Sequence, residues 1–239
     1  MRAVICGANG AMGKLIDGIL SDEVVGKVSI DGENNVPKTF AELGEVAADV
    51  VIDFSHHTAI ADVLAYAKAI DAAAVIGTTG HTSEEKALIH AAAEEIPVFY
   101  AGNVSLGIAV LCRLVKDAVK YFPDADVEIV EIHHTRKVDA PSGTAHMVFN
   151  AIKEVRPQAY ENCGRAGEGK RTKDEIGIHA LRMGNVVGIH EVHINTGNQT
   201  LTLKHESGSR AMLADGAVAA ARFMEGKGKG LYDMESILG

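Results

Sequence analysis

Apolar and polar positions in the first hundred residues fall into two alternating regimes. Short apolar runs, AVIC (3–6), ADVVIDF (48–54), VIGTT (75–79) and PVFYAG (97–102), with the more polar KVSID (27–31) among them, are separated by stretches of helical character. Runs of this kind suit buried strands, and strands separated by helices predict an α/β unit with a Rossmann-like, doubly wound parallel sheet. Ligands of such sheets bind beyond the carboxyl ends of the strands. Those ends carry GANGAMG, Asp31, DFSHH, GTTG and AGNVS, each glycine-rich or polar.

Past Asn103 the pattern changes. GIAVLCRLVKDAVKYF (107–122) has helical periodicity, VEIVEIHH (127–134) alternates as a strand, and TAHMVFNAIKEV (144–155) is a second helix. A long polar loop, NCGRAGEGKRTKDE, then leads to three predicted strands in EIGIHALR, GIHEVHINTG and QTLTLKHES. Consecutive strands with short turns predict an antiparallel or mixed sheet, so this half is an α+β unit. From about Arg210 the chain returns to an alanine-rich helix, ADGAVAAARFM, and a short tail, GLYDMESIL. The expected division is a dinucleotide-binding domain of residues 1–105 and 210–239 and a substrate-binding and oligomerisation domain of residues 106–209. Two crossings between them would permit hinge closure over a substrate.

Composition narrows the partners. A chain of 239 residues, 47% hydrophobic, can bury one full core or two modest ones. Its formal charge of −9 repels nucleic acid and anionic lipid, so a local basic cluster is aimed at something small. No apolar stretch approaches the ~20 residues of a membrane span. The start, MRAVICGANG, enters a strand pattern at once and leaves no room for a secretory signal. Three cysteines (Cys6, Cys112, Cys163), odd in number and without CxxC spacing, suit a reducing compartment. A cytoplasmic protein with no nucleic-acid or membrane partner is expected.

GANGAMG follows a strand and opens a helix, with glycines at 7, 10 and 13. The first permits a tight turn, the second lets the backbone approach a pyrophosphate, and the third lets helix and strand pack closely. The helix N-terminus stabilises the phosphate charge. Asp31 lies 18 residues past Gly13, where a carboxylate can accept from a ribose 2′-hydroxyl. A plain strand-to-helix turn is the alternative. Because Gly32 rather than arginine follows Asp31, a 2′-phosphate would meet a carboxylate without an adjacent guanidinium, which favours NADH over NADPH; Lys38 could moderate that preference.

The most polar stretch is EIHHTRKVDAPSGTA (131–145). Side chains alternate along a strand, so His133 and His134 would point to opposite faces if both stay within it, and they are poor ligands for one metal. One histidine can act as a general acid near neutrality. Arg136 and Lys137 supply positive charge, and the backbone N–H groups of Gly143 and Thr144 at a helix start can hold a carboxylate. An anionic substrate with a group that needs a proton fits. So does a plain polar loop with Ser142 as helix N-cap and the histidines on a solvated surface. The pair in HEVH (190–193) is spaced i, i+3 on a strand pattern rather than i, i+4 on a helix, and no metal site is expected. The basic loop GRAGEGKRTK (164–173) reads as a solvated connection, or as a flexible segment able to close over an anion.

EIHHTRKVDAPSGTA also resembles, almost residue for residue, the signature of the 4-hydroxy-tetrahydrodipicolinate (dihydrodipicolinate) reductase family. GANGAMG, DFS, GTTG, AGNVSLG, LRMGNVVGIHEV, SRAMLADGA and GLYDMESIL resemble the other blocks of that family, so the likeness spans nearly the whole chain. The resemblance implies an NADH- and/or NADPH-dependent oxidoreductase of diaminopimelate and lysine biosynthesis acting on a small dicarboxylate, and a homotetramer built through the sheet of the second domain. It implies His133 as proton donor, Lys137 as second catalytic group, and His134, Gly143 and Thr144 as contacts to a substrate carboxylate. The nucleotide would lie along Gly7, Ala8, Asn9, Gly10, Ala11 and Met12, then Asp31, then Gly77, Thr78 and Thr79, then Ala101, Gly102, Asn103 and Val104. Many members carry a bulky aromatic in place of Val104 and an arginine in place of Gly32, departures that bear on nucleotide preference. The Glu-Lys-Pro element of sugar oxidoreductases is absent. A nucleotide-sensing regulator with an inactive second domain is the rival of a different class; it would bind nucleotide without turnover.

Overall fold

The computed structural model describes residues 1–239 as two compact units, one of Met1–Ser105 with Ala211–Gly239 and one of Leu106–Arg210. The first runs β1 (Ala3–Cys6), α1 (Ala11–Leu20), β2 (Val24–Val28), α2 (Phe40–Leu43), β3 (Val50–Asp53), α3 (Ile60–Ala69), β4 (Ala73–Ile76), α4 (Ser83–Ala93) and β5 (Pro97–Tyr100). The second runs α5 (Leu106–Tyr121), β6 (Asp126–His133), α6 (Gly143–Val155), β7 (Tyr160–Cys163), β8 (Glu175–Arg182), β9 (Gly188–Asn195) and β10 (Thr200–Ser207). The chain then returns to the first unit as α7 (Ala211–Phe223), β11 (Gly230–Tyr232) and α8 (Met234–Leu238).

The first sheet has the order β11-β5-β4-β3-β1-β2, and every pairing is parallel. β1, β3 and β4 are buried along their whole length, which explains their unbroken apolar sequences. Reversal of strand order between β1 and β3 places the β1–α1 turn at the topological switch point. Three details differ from the sequence expectation, the first being that β4 is Ala73–Ile76 rather than 75–79, so Gly77, Thr78 and Thr79 lie beyond the strand. The second strand is Val24–Val28 rather than 27–31, because Gly32 N–H turns back to Ser29 C=O (2.9 Å) with Gly32 in the left-handed region (φ 64°). Asp31 therefore sits in a turn, and Ile30 is 90% exposed. The tail also contributes a sixth strand, β11, paired with β5.

The second sheet has the order β10-β9-β6-β8-β7 and is mixed: β9 is antiparallel to both β10 and β6, while β8 is parallel to both β6 and β7. Val127 and Ile129 of β6, Ile176 and Ile178 of β8, and Val192 and Ile194 of β9 pack with Ile108 and Val115 of α5 and Val148 and Ile152 of α6. β6 and β9 alternate buried and partly exposed positions, the signature of a sheet covered by helices on one face. β6 ends at His133, so His134 is the first residue of the following loop rather than a strand residue. β7 takes in Asn162 and Cys163, the first two residues of the predicted polar loop; its sequence, YENC, is half exposed at the edge of the sheet.

Candidate active site

In the first unit the β1–α1 turn is shaped by glycine. Gly7 has φ 81°, and a Cβ there would lie 2.3 Å from Phe54 C=O; a Cβ on Gly13 would lie 2.2 Å from Gly7 C=O. Strand, turn and helix are thus in backbone contact, as a loop that wraps a phosphate requires. α1 begins after Gly10, whose place as N-cap brings no side-chain bond to the first turn, and no acidic residue stands there. Ala11 and Met12 are the first two residues of that helix.

Asn9 reaches from this turn to Asp31. Its Nδ2 donates to Asp31 Oδ1 (2.5 Å) and to Glu33 C=O (3.0 Å), and Glu33 N–H donates to the same Asp31 oxygen (3.0 Å). These bonds, that from Asn9 foremost, hold the Asp31 carboxyl below the usual carboxylate range. Ala8, Asn9, Lys14, Asn34, Val36 and Pro37 line part of a cavity of about 440 Å³ beside this pair. The stem of Lys38 covers Gly32; a Cβ on Gly32 would lie 2.4 Å from its Cε.

The remaining nucleotide candidates follow the next strands. Gly77 lies under the Phe54 ring, where a Cβ would come within 2.2 Å of the ring Cζ, and Thr78 Oγ1 accepts from Ser55 N–H at 2.9 Å. Thr79 and Gly80 continue that turn. After β5, Ala101 and Gly102 lead to Asn103, whose side-chain oxygen accepts from Ser105 N–H (2.9 Å), and to the buried Val104. Asp53 is wholly buried at the end of β3, bound by Ser55 Oγ at 2.5 Å, and burial pushes its carboxyl up. Burial likewise pushes the adjacent Cys6 thiol up to about 12, which makes it inert.

In the second unit, four donors converge on one wholly buried carboxylate. Glu131 accepts from His133 Nδ1 (2.5 Å) and Arg182 Nη1 (2.9 Å) at Oε2, and from Arg182 Nη2 (2.8 Å) and Ser142 N–H (3.1 Å) at Oε1. Burial opposes ionisation of this carboxyl, but the bonds from Arg182 and His133 outweigh it and bring it below its ordinary value. The His133 ring lies over Gly188, where a Cβ would come within 3.1 Å of Nε2. His190 stands edge-on to it, with centroids 5.2 Å apart. His190 Nε2 bonds Ser142 Oγ (3.1 Å), which also accepts from Ala145 N–H (3.1 Å) and so caps α6. Burial first, and His133 second, bring the His190 imidazole down to about 4.

Gly143 and Thr144 are the first two residues of α6, with Gly143 exposed and no acidic residue in the first turn. Lys137 Nζ pairs with Asp139 (2.8 Å) within the loop, and Arg136 Nη1 donates to Asn185 (2.8 Å). His134 C=O accepts from Lys137 N–H (3.1 Å). Burial, with Arg136 and Arg210, lowers the His134 imidazole below its ordinary value, so the ring is neutral at neutral pH.

The structure brings His133 and the start of α6 together through Glu131, and Lys137 and His134 into the connecting loop. It separates the HEVH pair: His190 is buried on the helix-covered face of β9, while His193 is partly exposed and bonds Thr202 (3.1 Å). The basic loop is tied to its own sheet. Arg165 binds Glu128 (2.7 Å) and Glu175, and Arg171 binds Asp126 (2.7 Å) and Glu128 (3.2 Å). Glu131, Arg182 and Gly188 are not among the site residues expected from the sequence, and His190 enters there only as one of the rejected HEVH metal pair. One signal for Glu131 was present: in VEIVEIHH it falls in phase with the apolar Val127 and Ile129, so the alternation that buries them buries a carboxylate.

The family model for the N-terminal part of dihydrodipicolinate reductase matches residues 1–104, and that for the C-terminal part matches residues 107–238. A 4-hydroxy-tetrahydrodipicolinate reductase of Caldanaerobacter subterraneus subsp. tengcongensis is 43% identical over 100% of this chain and 98% of its own length. One of Clostridium tetani is 38% identical over 100% of this chain and 97% of its own. Among solved structures, a dipicolinate-bound dihydrodipicolinate reductase from Paenisporosarcina sp. superposes with a TM-score of 0.78 at 25% identity, covering 98% of this chain and 97% of that one.

Proposed function

The chain belongs to the dihydrodipicolinate reductase family, and on that premise we propose which of its residues carry the reaction and which nucleotide it uses. The reaction is the reduction of 4-hydroxy-tetrahydrodipicolinate in diaminopimelate and lysine biosynthesis, with a pyridine nucleotide as reductant. Reduced nicotinamide, when bound, supplies a hydride to the conjugated ring of the dicarboxylate. The protein supplies the rest: a proton, a grip on two carboxylates and a fixed orientation.

His133 is the proton donor. With Glu131 ionised and accepting at Nδ1, the ring presents Nε2, and the proton held there passes to the ring carbon next to the one that receives the hydride. The N–H groups at the start of α6, Gly143 and Thr144, take one substrate carboxylate, with His134 beside them. Lys137 turns its ammonium from Asp139 to substrate anion. The observation that carries this reading is that His133 and Ser142, the residue capping α6, are bound to the same carboxylate.

The nucleotide belongs to the first unit, on Gly7 to Met12, Asp31, Gly77 to Thr79 and Ala101 to Val104. A tight glycine turn, an uncapped helix start and a carboxylate held ready by Asn9 fit the pyrophosphate and ribose of such a group. NADH is the preferred form, because an ionised Asp31 accepts from a ribose hydroxyl and repels a 2′-phosphate. A homotetramer formed through the open face of the β6–β10 sheet, where Val130, Ile132 and Ile189 are partly exposed, and a cytoplasmic location complete the reading.

The test is oxidation of NADH and NADPH followed in parallel by absorbance, with substrate generated in place from pyruvate and aspartate semialdehyde by the preceding synthase. Oxidation that collapses in His133→Ala and Lys137→Ala, and is faster with NADH, is the expected result. Bound nucleotide without oxidation would favour the regulator.

A further inference from the structure

A wholly buried carboxylate that serves four donors is a costly feature, and packing alone gives no reason for it at a position in phase with Val127 and Ile129. What Glu131 touches is informative. One oxygen holds the Nδ1 side of His133, and the other holds Ser142 N–H, one residue before the helix start at Gly143. The Arg182 guanidinium binds both oxygens from β8 and also donates to Asp139 C=O (2.7 Å), in the loop between the two. β6, β8, the loop and the N-terminus of α6 therefore meet at one anion.

We infer that Glu131 is the positioning residue of this reductase: it fixes His133 as the Nδ1–H tautomer with Nε2 facing Gly188, and, with Arg182, sets the distance between proton donor and carboxylate site. The inference rests on His133 being the proton donor. An ionised carboxylate can only accept, so the hydrogen of the shared bond belongs to Nδ1. The transferable proton is the second one, on Nε2 of the doubly protonated ring, and its loss leaves the Nδ1–H tautomer. In the step itself the Nε2–H bond breaks, its electron pair stays on the ring, a C–H bond forms on the substrate, and Glu131 keeps its charge throughout. Gly188 gives the ring its place, and His190, edge-on, closes its flank.

Replacement by glutamine exposes the logic. Four donors meet two acceptor oxygens in the native protein; the amide offers one oxygen and an NH₂ that faces N–H donors. Glu131→Gln is expected to lower kcat by about 10- to 100-fold. The KM for substrate should change less. Ring ¹⁵N spectra should show His133 as Nδ1–H in the native protein and as a mixture of tautomers in the variant. A folded Glu131→Gln protein with native turnover and tautomer overturns the inference. Should that variant fail to fold, Glu131→Asp keeps the charge but withdraws it by one methylene: reduced kcat with little change in KM is expected, and native kcat overturns the inference. His133→Gln, assayed beside them, separates the two claims. If it retains native turnover, the proton-donor reading itself falls; if it is inactive while Glu131→Gln is native in every respect, only the positioning role falls.

Discussion

One buried ring contributes to the weakening of this fold by acid, and its share can be isolated. His190 is 3% exposed, bonded to Ser142 Oγ and held at about 4 against an ordinary 6.5. Because the folded value is the lower one, the stabilisation is complete above the unfolded value and is lost as pH falls toward the folded one. At pH 7 the ring is mostly neutral in both states. At pH 5 the unfolded chain takes up a proton that the folded protein refuses, which costs about 2 kcal/mol of stability relative to pH 7 and levels off near about 3 kcal/mol below pH 4. His190→Gln keeps an acceptor for Ser142 but cannot titrate. Urea unfolding of both proteins at pH 7, 6 and 5, at one fixed protein concentration, gives the difference directly, since the carboxylates they share cancel. The native protein is predicted to lose about 2 kcal/mol more than the variant between pH 7 and pH 5. Parallel stability curves would refute the reasoning.

Two further predictions concern the same unit. In Gly188→Ala the added methyl meets His133 Nε2 at 3.1 Å while Glu131 holds the ring from the other side, so kcat should fall by roughly 10- to 100-fold for a stability loss of about 1–3 kcal/mol, read by kinetics and thermal melting. Lys137→Met should weaken the binding of dipicolinate, the ligand held by the related solved structure, by about 10-fold in calorimetry, the loss of one charge-assisted contact, with the melting temperature little changed because Lys137 is bonded only within its loop.

Much of the first unit was legible because its strands are buried on both faces and are written as unbroken apolar runs, as in AVIC and VVID. The same rule misplaced β2, where VSI looked like strand but a left-handed Gly32 turns the chain and leaves Ile30 in solvent. β7 and β11 were missed for another reason. Each is a short edge strand, half exposed, whose residues carry no periodic burial to read. At the candidate site the residues of EIHHTRKVDAPSGTA stand close in sequence, so their types suggested the chemistry. Arg182, Gly188 and His190 come to His133 only through the pairing of β8 and β9 with β6, a long-range register that no local pattern encodes. Glu131 was hidden in plain view, as a charge at an apolar phase.

Product labelling tests the central claim most directly: that this chain reduces the cyclic dicarboxylate with nicotinamide hydride and that His133 supplies the accompanying proton. With NADH deuterated at both C4 positions and substrate generated in place, the product is predicted to gain one deuterium per molecule, at a rate that collapses in His133→Gln. Product formed without label, or label transferred at the native rate by the His133 variant, would contradict it.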